Sequence, residues 1–137
     1  MAHGDAVASQ SHWPRRTIPS FSDERLLEVL ESVSLKLIDD LDFGLIVMDR
    51  SGEVIAYNAD ESRRSGLARH RVLGRSFFED VGPCTNNYLV AERYRESDEL
   101  DEQLDYVFTF RIARTPVRLR LLARAGSPRQ YLAVRSR

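Results

Sequence analysis

Apolar residues recur at 4-3-4 spacing early in the chain. Leu26, Leu30, Val33 and Leu37 form one stripe within FSDERLLEVLESVSLKLIDDL, and acids and serines fill much of the rest. This pattern predicts one amphipathic helix over 21–40, about five turns long. Ser20 and Asp23, three apart at its start, have the spacing of a capping box. The stripe is too short for an autonomous coiled coil, so it must pack on the domain or on a second copy as a homodimer seam.

The period then changes. FGLIVMD, a turn at Arg50-Ser51-Gly52 and EVIAY predict two strands joined as a hairpin. About 40 residues of short helical pieces follow, punctuated by Gly66, Gly74 and Gly82-Pro83. Alternation returns in the last third, where Tyr106, Phe108, Phe110 and Ile112 share a face. Val117, Leu119 and Leu121 alternate with Arg118 and Arg120, and a last strand covers about 130–135 after a turn at Gly126-Ser127-Pro128. Helix, two strands, a helical crossover and three strands join most simply as an α+β domain built on one five-stranded antiparallel sheet. Residues 1–20 carry Ser, Pro and Gly and read as a flexible leader, with Trp13 its one sticky residue.

Composition narrows the function classes. The chain has 137 residues, 42% of them hydrophobic, which suits one domain over 41–137 behind the leader and helix. One Cys excludes an internal disulfide, and three His at positions 3, 12 and 70 make no local metal motif. No apolar run reaches membrane-span length, and the N-terminus lacks a secretory core, so a cytoplasmic address is expected. A net charge of −1 argues against a nucleic-acid partner. Residues 96–105 hold six acids and no base, whereas 111–137 hold eight Arg and no acid. Such blocks read as solvated faces or as partner surfaces.

Cys84 in FFEDVGPCT follows a sharp Gly-Pro segment, and Phe77, Phe78 and Val81 have the spacing of a short buried helix leading into it. A Cys there is either a small core hydrophobe or a thiolate or thioester site. Tyr57 lies at a strand end, and Glu61 and Ser65 share a face if 58–65 is helical. Taken alone, such polar pairs are more often solvated than functional.

YNADE, the Ser65-Gly66 pair and VLGRSFFEDVGPCT together resemble the photoactive yellow protein family of PAS domains. The resemblance runs from about Leu41 to Arg137 and implies a PAS fold. It also implies a blue-light photoreceptor that carries p-coumaric acid as a thioester on Cys84. Tyr57 and Glu61 match the residues that hydrogen-bond the phenolate oxygen. Ser65 stands where the family has a Thr supporting that Tyr. Phe77, Phe110 and Phe108 match positions that line or flank the pocket. Glu61 would donate its proton after isomerisation, and the N-terminal region would respond. Leu67 departs from the family's Arg at that position, the stretch from Cys84 to Tyr106 is shorter, and the N-terminus differs. The signal would leave through a downstream protein that the sequence does not name. The rival is a chromophore-free PAS interaction module with Cys84 packed inertly. An enzyme using Cys84 as nucleophile lacks a matched His base, His70 being nearest in sequence, so no enzymatic activity is expected.

Overall fold

The computed structural model describes residues 10–110 and 113–137, apart from the side chains of Phe110 and Ala113. Its regular elements are α1 (Leu26–Ser32), β1 (Gly44–Asp49), β2 (Val54–Tyr57), α2 (Ala59–Ser65), α3 (Arg69–Val72), α4 (Ala91–Glu96), β3 (Leu100–Phe110), β4 (Ala113–Ala123) and β5 (Arg129–Ser136). The strands form one antiparallel sheet in the order β2-β1-β5-β4-β3. The β1–β2 turn is tied by Asp49, whose Oδ1 accepts from the Ser51 and Glu53 amides and from the Ser51 hydroxyl. Gly52 closes it at φ +93°, a conformation that costs Gly little.

Both sheet faces are covered. On one, Ile46, Met48, Leu119, Leu121 and Leu132 pack with Tyr57, Phe77, Phe78 and Tyr94 of the crossover side. On the other, Leu45, Val47, Leu122, Tyr131 and Ala133 meet Trp13, Phe21, Leu26, Leu30, Val33 and Ile38 from the N-terminal segment. Strand alternation sends odd and even positions to opposite cores.

The N-terminal segment departs from the sequence expectation in three ways. The helix expected over 21–40 is broken. α1 has seven residues, Val33 is extended (φ −116°, ψ 160°), and a separate 3₁₀ run covers Leu35–Asp40. Ser32 Oγ donates back to the Val29 carbonyl at 2.8 Å and Ser34 Oγ accepts from Lys36 N, so Ser-Val-Ser breaks the helix with local bonds. The expected capping box is also absent: α1 begins at Leu26, and Asp23 Oδ1 accepts from Arg25 N instead.

Second, the stripe is not a dimer seam. Leu26, Leu30 and Val33 are buried against the sheet within the chain. Full burial of each such side chain is worth about 1.5–3 kcal/mol, and this packing takes the place of a second copy. Third, residues 10–20 do not behave as a flexible leader. Gln10 bridges Val33, Trp13 is buried, and its Nε1 donates to Asp40 Oδ2 at 3.0 Å. Residues 1–9 of that leader lie outside the described residues.

Polar bonds fasten this cap to the sheet. Arg120, buried on β4, donates to the Phe21 and Asp23 carbonyls at 2.8 and 2.7 Å and pairs with Asp101 at 2.8 Å. Tyr131 Oη and Ser127 Oγ both donate to Glu31. The two charge blocks meet across the β3–β4 hairpin, where Arg118 pairs with Asp105 at 2.8 Å and Arg120 with Asp101. Part of the charge unevenness is therefore cancelled within the sheet. Among the described residues no helix is long and apolar enough to cross a membrane.

Candidate functional site

β2 delivers Tyr57 to the edge of the crossover, and Asn58 turns the chain into α2. Asn58 Oδ1 accepts from Glu61 N at 3.1 Å, capping the helix, and from Leu45 N at 2.9 Å. Its amide Nδ2 donates to the Ile38 and Phe43 carbonyls, each at 2.9 Å. One fully buried side chain thus locks α2 to β1 and to the cap. The sequence reading missed this role, although Asn just before a helical stretch was a legible capping signal.

The cap sets the face of α2 that turns inward. Tyr57 Oη donates to Ser65 Oγ at 2.8 Å, and Ser65 Oγ also accepts from Leu67 N at 3.1 Å. Glu61 is fully buried. Its Oε1 accepts from Arg64 Nη1 at 3.0 Å, while Oε2 has no hydrogen-bond partner among the described residues. Burial pushes the Glu61 carboxyl up to about 7, against the lowering by Arg64 and with a small upward contribution from Asp60. Burial, then the Glu61 charge, also raises the Tyr57 phenol well above its ordinary range. Tyr57 is therefore a neutral donor at physiological pH, whereas Glu61 is poised to hold or release a proton.

Arg64 completes this polar group, and the sequence reading did not single it out. Its side chain is only 13% exposed, which makes its charge partners matter. It pairs with Asp60 Oδ2 at 2.8 Å and donates to Ser136 Oγ at 3.1 Å at the end of β5. The signal was present in ADESRRS, where Asp60 and Glu61 precede Arg64 by four and three residues.

Cys84 is placed by two successive turns. Phe77–Val81 form one wide turn closed by the Gly82 amide on the Phe77 carbonyl at 2.7 Å, a geometry frequent at functional sites. The Phe77 ring lies so close to Gly82 that a Cβ there would approach its Cζ to 2.8 Å. Pro83–Thr85 then make one 3₁₀ turn, held by Thr85 Oγ1 donating to the Gly82 carbonyl at 2.6 Å. The Cys84 carbonyl accepts from Tyr106 Oη at 2.5 Å and Asn87 Nδ2 at 3.1 Å. Its thiol is free, and the residue is half-buried.

Tyr57 joins the two halves. Its ring belongs to the apolar cluster that contains Phe77 and Phe108 and that Cys84 and Leu67 pack against, while its hydroxyl bonds Ser65 and lies within the influence of the Glu61 charge. Phe110 ends β3 opposite Ala113, and its side chain lies outside the described residues. His70 is exposed on α3.

An antiparallel sheet of this strand order, with short helices and turns covering one face, defines a PAS domain. The fold is shared with a PAS domain of an HTR-like protein from Haloarcula marismortui (TM-score 0.56, 19% identity, 75% of this chain and 93% of that one). The photoactive yellow protein domain of a sensor histidine kinase from Rhodospirillum centenum superposes with a TM-score of 0.68 at 37% identity, over 74% of this chain and 92% of that one. Photoactive yellow protein from Halochromatium salexigens is 33% identical over 107 residues, 76% of this chain and 86% of the relative. That from Rhodothalassium salexigens is 37% identical over 87 residues, 61% and 70% respectively. No family model matches the chain. The chain is a sensor-type PAS domain and belongs to the photoactive yellow protein family.

Proposed function

We propose that this domain is a blue-light photoreceptor that carries p-coumaric acid as a thioester on Cys84 and signals by conformational change rather than by catalysis. The observation that carries this reading is the buried Glu61 Oε2, which has no hydrogen-bond partner among the described residues. An orphaned oxygen of this kind costs about 1–3 kcal/mol, and a phenol or phenolate oxygen would satisfy it. Tyr57 Oη, held by Ser65, lies within the influence of the Glu61 charge. Phe77 and Phe108 supply the apolar wall, and Phe110 is proposed for it from the resemblance.

When bound, the 4-hydroxycinnamoyl group would supply a double bond that isomerises on absorbing light and a phenolic oxygen. Cys84 fixes its orientation through the tether. Tyr57 donates a hydrogen bond to that oxygen, and Glu61 shares one proton with it at Oε2. A change in Glu61 charge inside a buried site is destabilising by several kcal/mol unless the surroundings rearrange. The cap over the opposite sheet face is the candidate responder, because Asn58 links α2 to the Ile38 carbonyl within it. The signal would pass to a downstream protein in the cytoplasm.

Tyr57 already bonds Ser65, and Glu61 Oε1 already bonds Arg64. These internal bonds favour the second reading, a chromophore-free interaction module. Treating the protein with an activated 4-hydroxycinnamic acid and recording intact mass separates the two. One adduct, lost in Cys84→Ala, is expected. An adduct that survives Cys84→Ala, or none on the wild type, contradicts the photoreceptor.

A further inference from the structure

We propose that Tyr106 and Asn87 are positioning residues that clamp the Cys84 main-chain carbonyl and so aim its thiol at an incoming acyl group. The proposal rests on the chromophore reading above and concerns how Cys84 is prepared for its thioester.

The geometry comes from three stretches of chain. In the turn around Cys84 the Gly82, Pro83 and Thr85 carbonyls each accept a backbone amide, at 2.9, 3.1 and 2.9 Å. The Cys84 carbonyl instead takes two side-chain donors, Tyr106 Oη from β3 at 2.5 Å and Asn87 Nδ2 at 3.1 Å. The same Nδ2 donates to Tyr106 Oη at 2.6 Å, so the phenol oxygen both gives and receives a bond. Asn87 Oδ1 accepts from the Leu89 and Val90 amides at 3.0 and 3.2 Å, which fixes the orientation of its side-chain amide. β3 holds the phenol in place by pairing Tyr106 with Val117. The Tyr106 ring also meets the Phe108 ring edge-on, with 6.0 Å between their centres.

These bonds act on the thiol through the backbone. Carbonyl and side chain leave the same Cα, so a carbonyl held from the sheet fixes the frame of the Cα–Cβ bond. Sγ then keeps only the staggered wells of χ1. Cys84 and Tyr106 both pack against the apolar cluster that contains Tyr57, Phe77 and Phe108. An acyl group that must lie in so confined a space can meet the sulfur from few directions, and a misplacement of about 1 Å costs such a reaction about a hundredfold. In the step itself the Cys84 sulfur bonds to the acyl carbon, and the bond from that carbon to its activating group breaks. The activating group leaves with the electron pair and takes up the thiol proton. A small alkylating reagent makes no such demand on direction.

Two measurements on chromophore-free protein test this. The chain has one Cys, so cysteine labelled with carbon-13 at its carbonyl gives a single carbonyl resonance. Tyr106→Phe, which keeps the ring, should move that resonance upfield as the hydrogen bond is lost. The second measurement compares two rates at Cys84: acylation by the thiophenyl ester of 4-hydroxycinnamic acid and alkylation by iodoacetamide. Tyr106→Phe should lower the acylation-to-alkylation ratio about tenfold or more, with alkylation as fast as in wild type or faster. Asn87→Asp keeps the acceptor for the Leu89 and Val90 amides but removes the donor, and it should lower the same ratio. It decides the case if Tyr106→Phe does not fold. Taking the ratio removes any change in thiol acidity, which both reactions share. An unmoved resonance, or an unchanged ratio in the variants that fold, overturns the proposal and leaves the chromophore reading standing. Wild type that is alkylated but takes no acyl group overturns the chromophore reading, and the proposal with it.

Discussion

The Glu61 carboxylate fills the space that a side chain on Gly44 would need. β1 and α2 can approach closely only because position 44 has no Cβ, and the same approach buries Glu61 and brings Arg64 against the sheet. The site is thus assembled by backbone proximity as much as by its polar side chains.

Gly44→Ala should therefore act on Glu61. The new methyl must displace a buried, ion-paired carboxylate, and overpacking of this kind costs about 1–3 kcal/mol. Urea unfolding should show that loss, and the Glu61 carboxyl signal should shift. An unchanged midpoint with an unchanged signal would mean that β1 and α2 have more room than the geometry allows.

Glu61 makes stability pH-dependent with a definite sign. Its folded value, about 7, lies above the ordinary 4.5, so the folded state binds more protons between those limits. Its contribution is fully present below pH 4.5 and is lost as pH rises through about 7. The interval corresponds to about 3 kcal/mol. In Glu61→Gln, chemical denaturation across this range should lose that slope; retention of it would place the titration on another group.

The cap should come away as a unit. Leu30→Asp puts a charge where Leu30 is 1% exposed, on the side of the sheet away from Cys84. A loss of about 3 kcal/mol or more is expected, together with a red shift of Trp13 emission as its buried ring meets water. Wild-type stability with buried Trp13 emission would contradict the packing described. Solution mass should not change, because the stripe is internal.

Arg120→Met tests the polar fastening of that cap. It removes bonds to the Phe21 and Asp23 carbonyls and to Asp101 while keeping much of the stem volume. The loss should be about 1–3 kcal/mol, and hydrogen exchange should quicken in 21–32 before it quickens in the strands. Uniform acceleration across the sheet would show that Arg120 stabilises the whole fold instead.

Strands and turns were legible because their signals are local. Alternation at 117–121 and the Arg50-Ser51-Gly52 turn lie where the sequence placed them. The family resemblance, not the spacing, paired Tyr57 with Ser65, and the two bond directly. What escaped depends on tertiary choice. The 4-3-4 stripe is satisfied equally by a long helix and by a short one followed by an extended Val33. Trp13 looked isolated until the outer sheet face supplied its neighbours. Arg64 was not singled out, because nothing in its local sequence announces Gly44 or Ser136. The acidic and basic blocks looked like two surfaces until β3 and β4 paired.

The most direct measurement is the light response of protein carrying one 4-hydroxycinnamoyl group. Illumination into its own absorption band should change the spectrum, darkness should restore it, and Cys84→Ala treated identically should show neither band nor response. A wild-type spectrum that is static under light, despite a confirmed adduct on Cys84, would contradict the photoreceptor and leave a PAS interaction module.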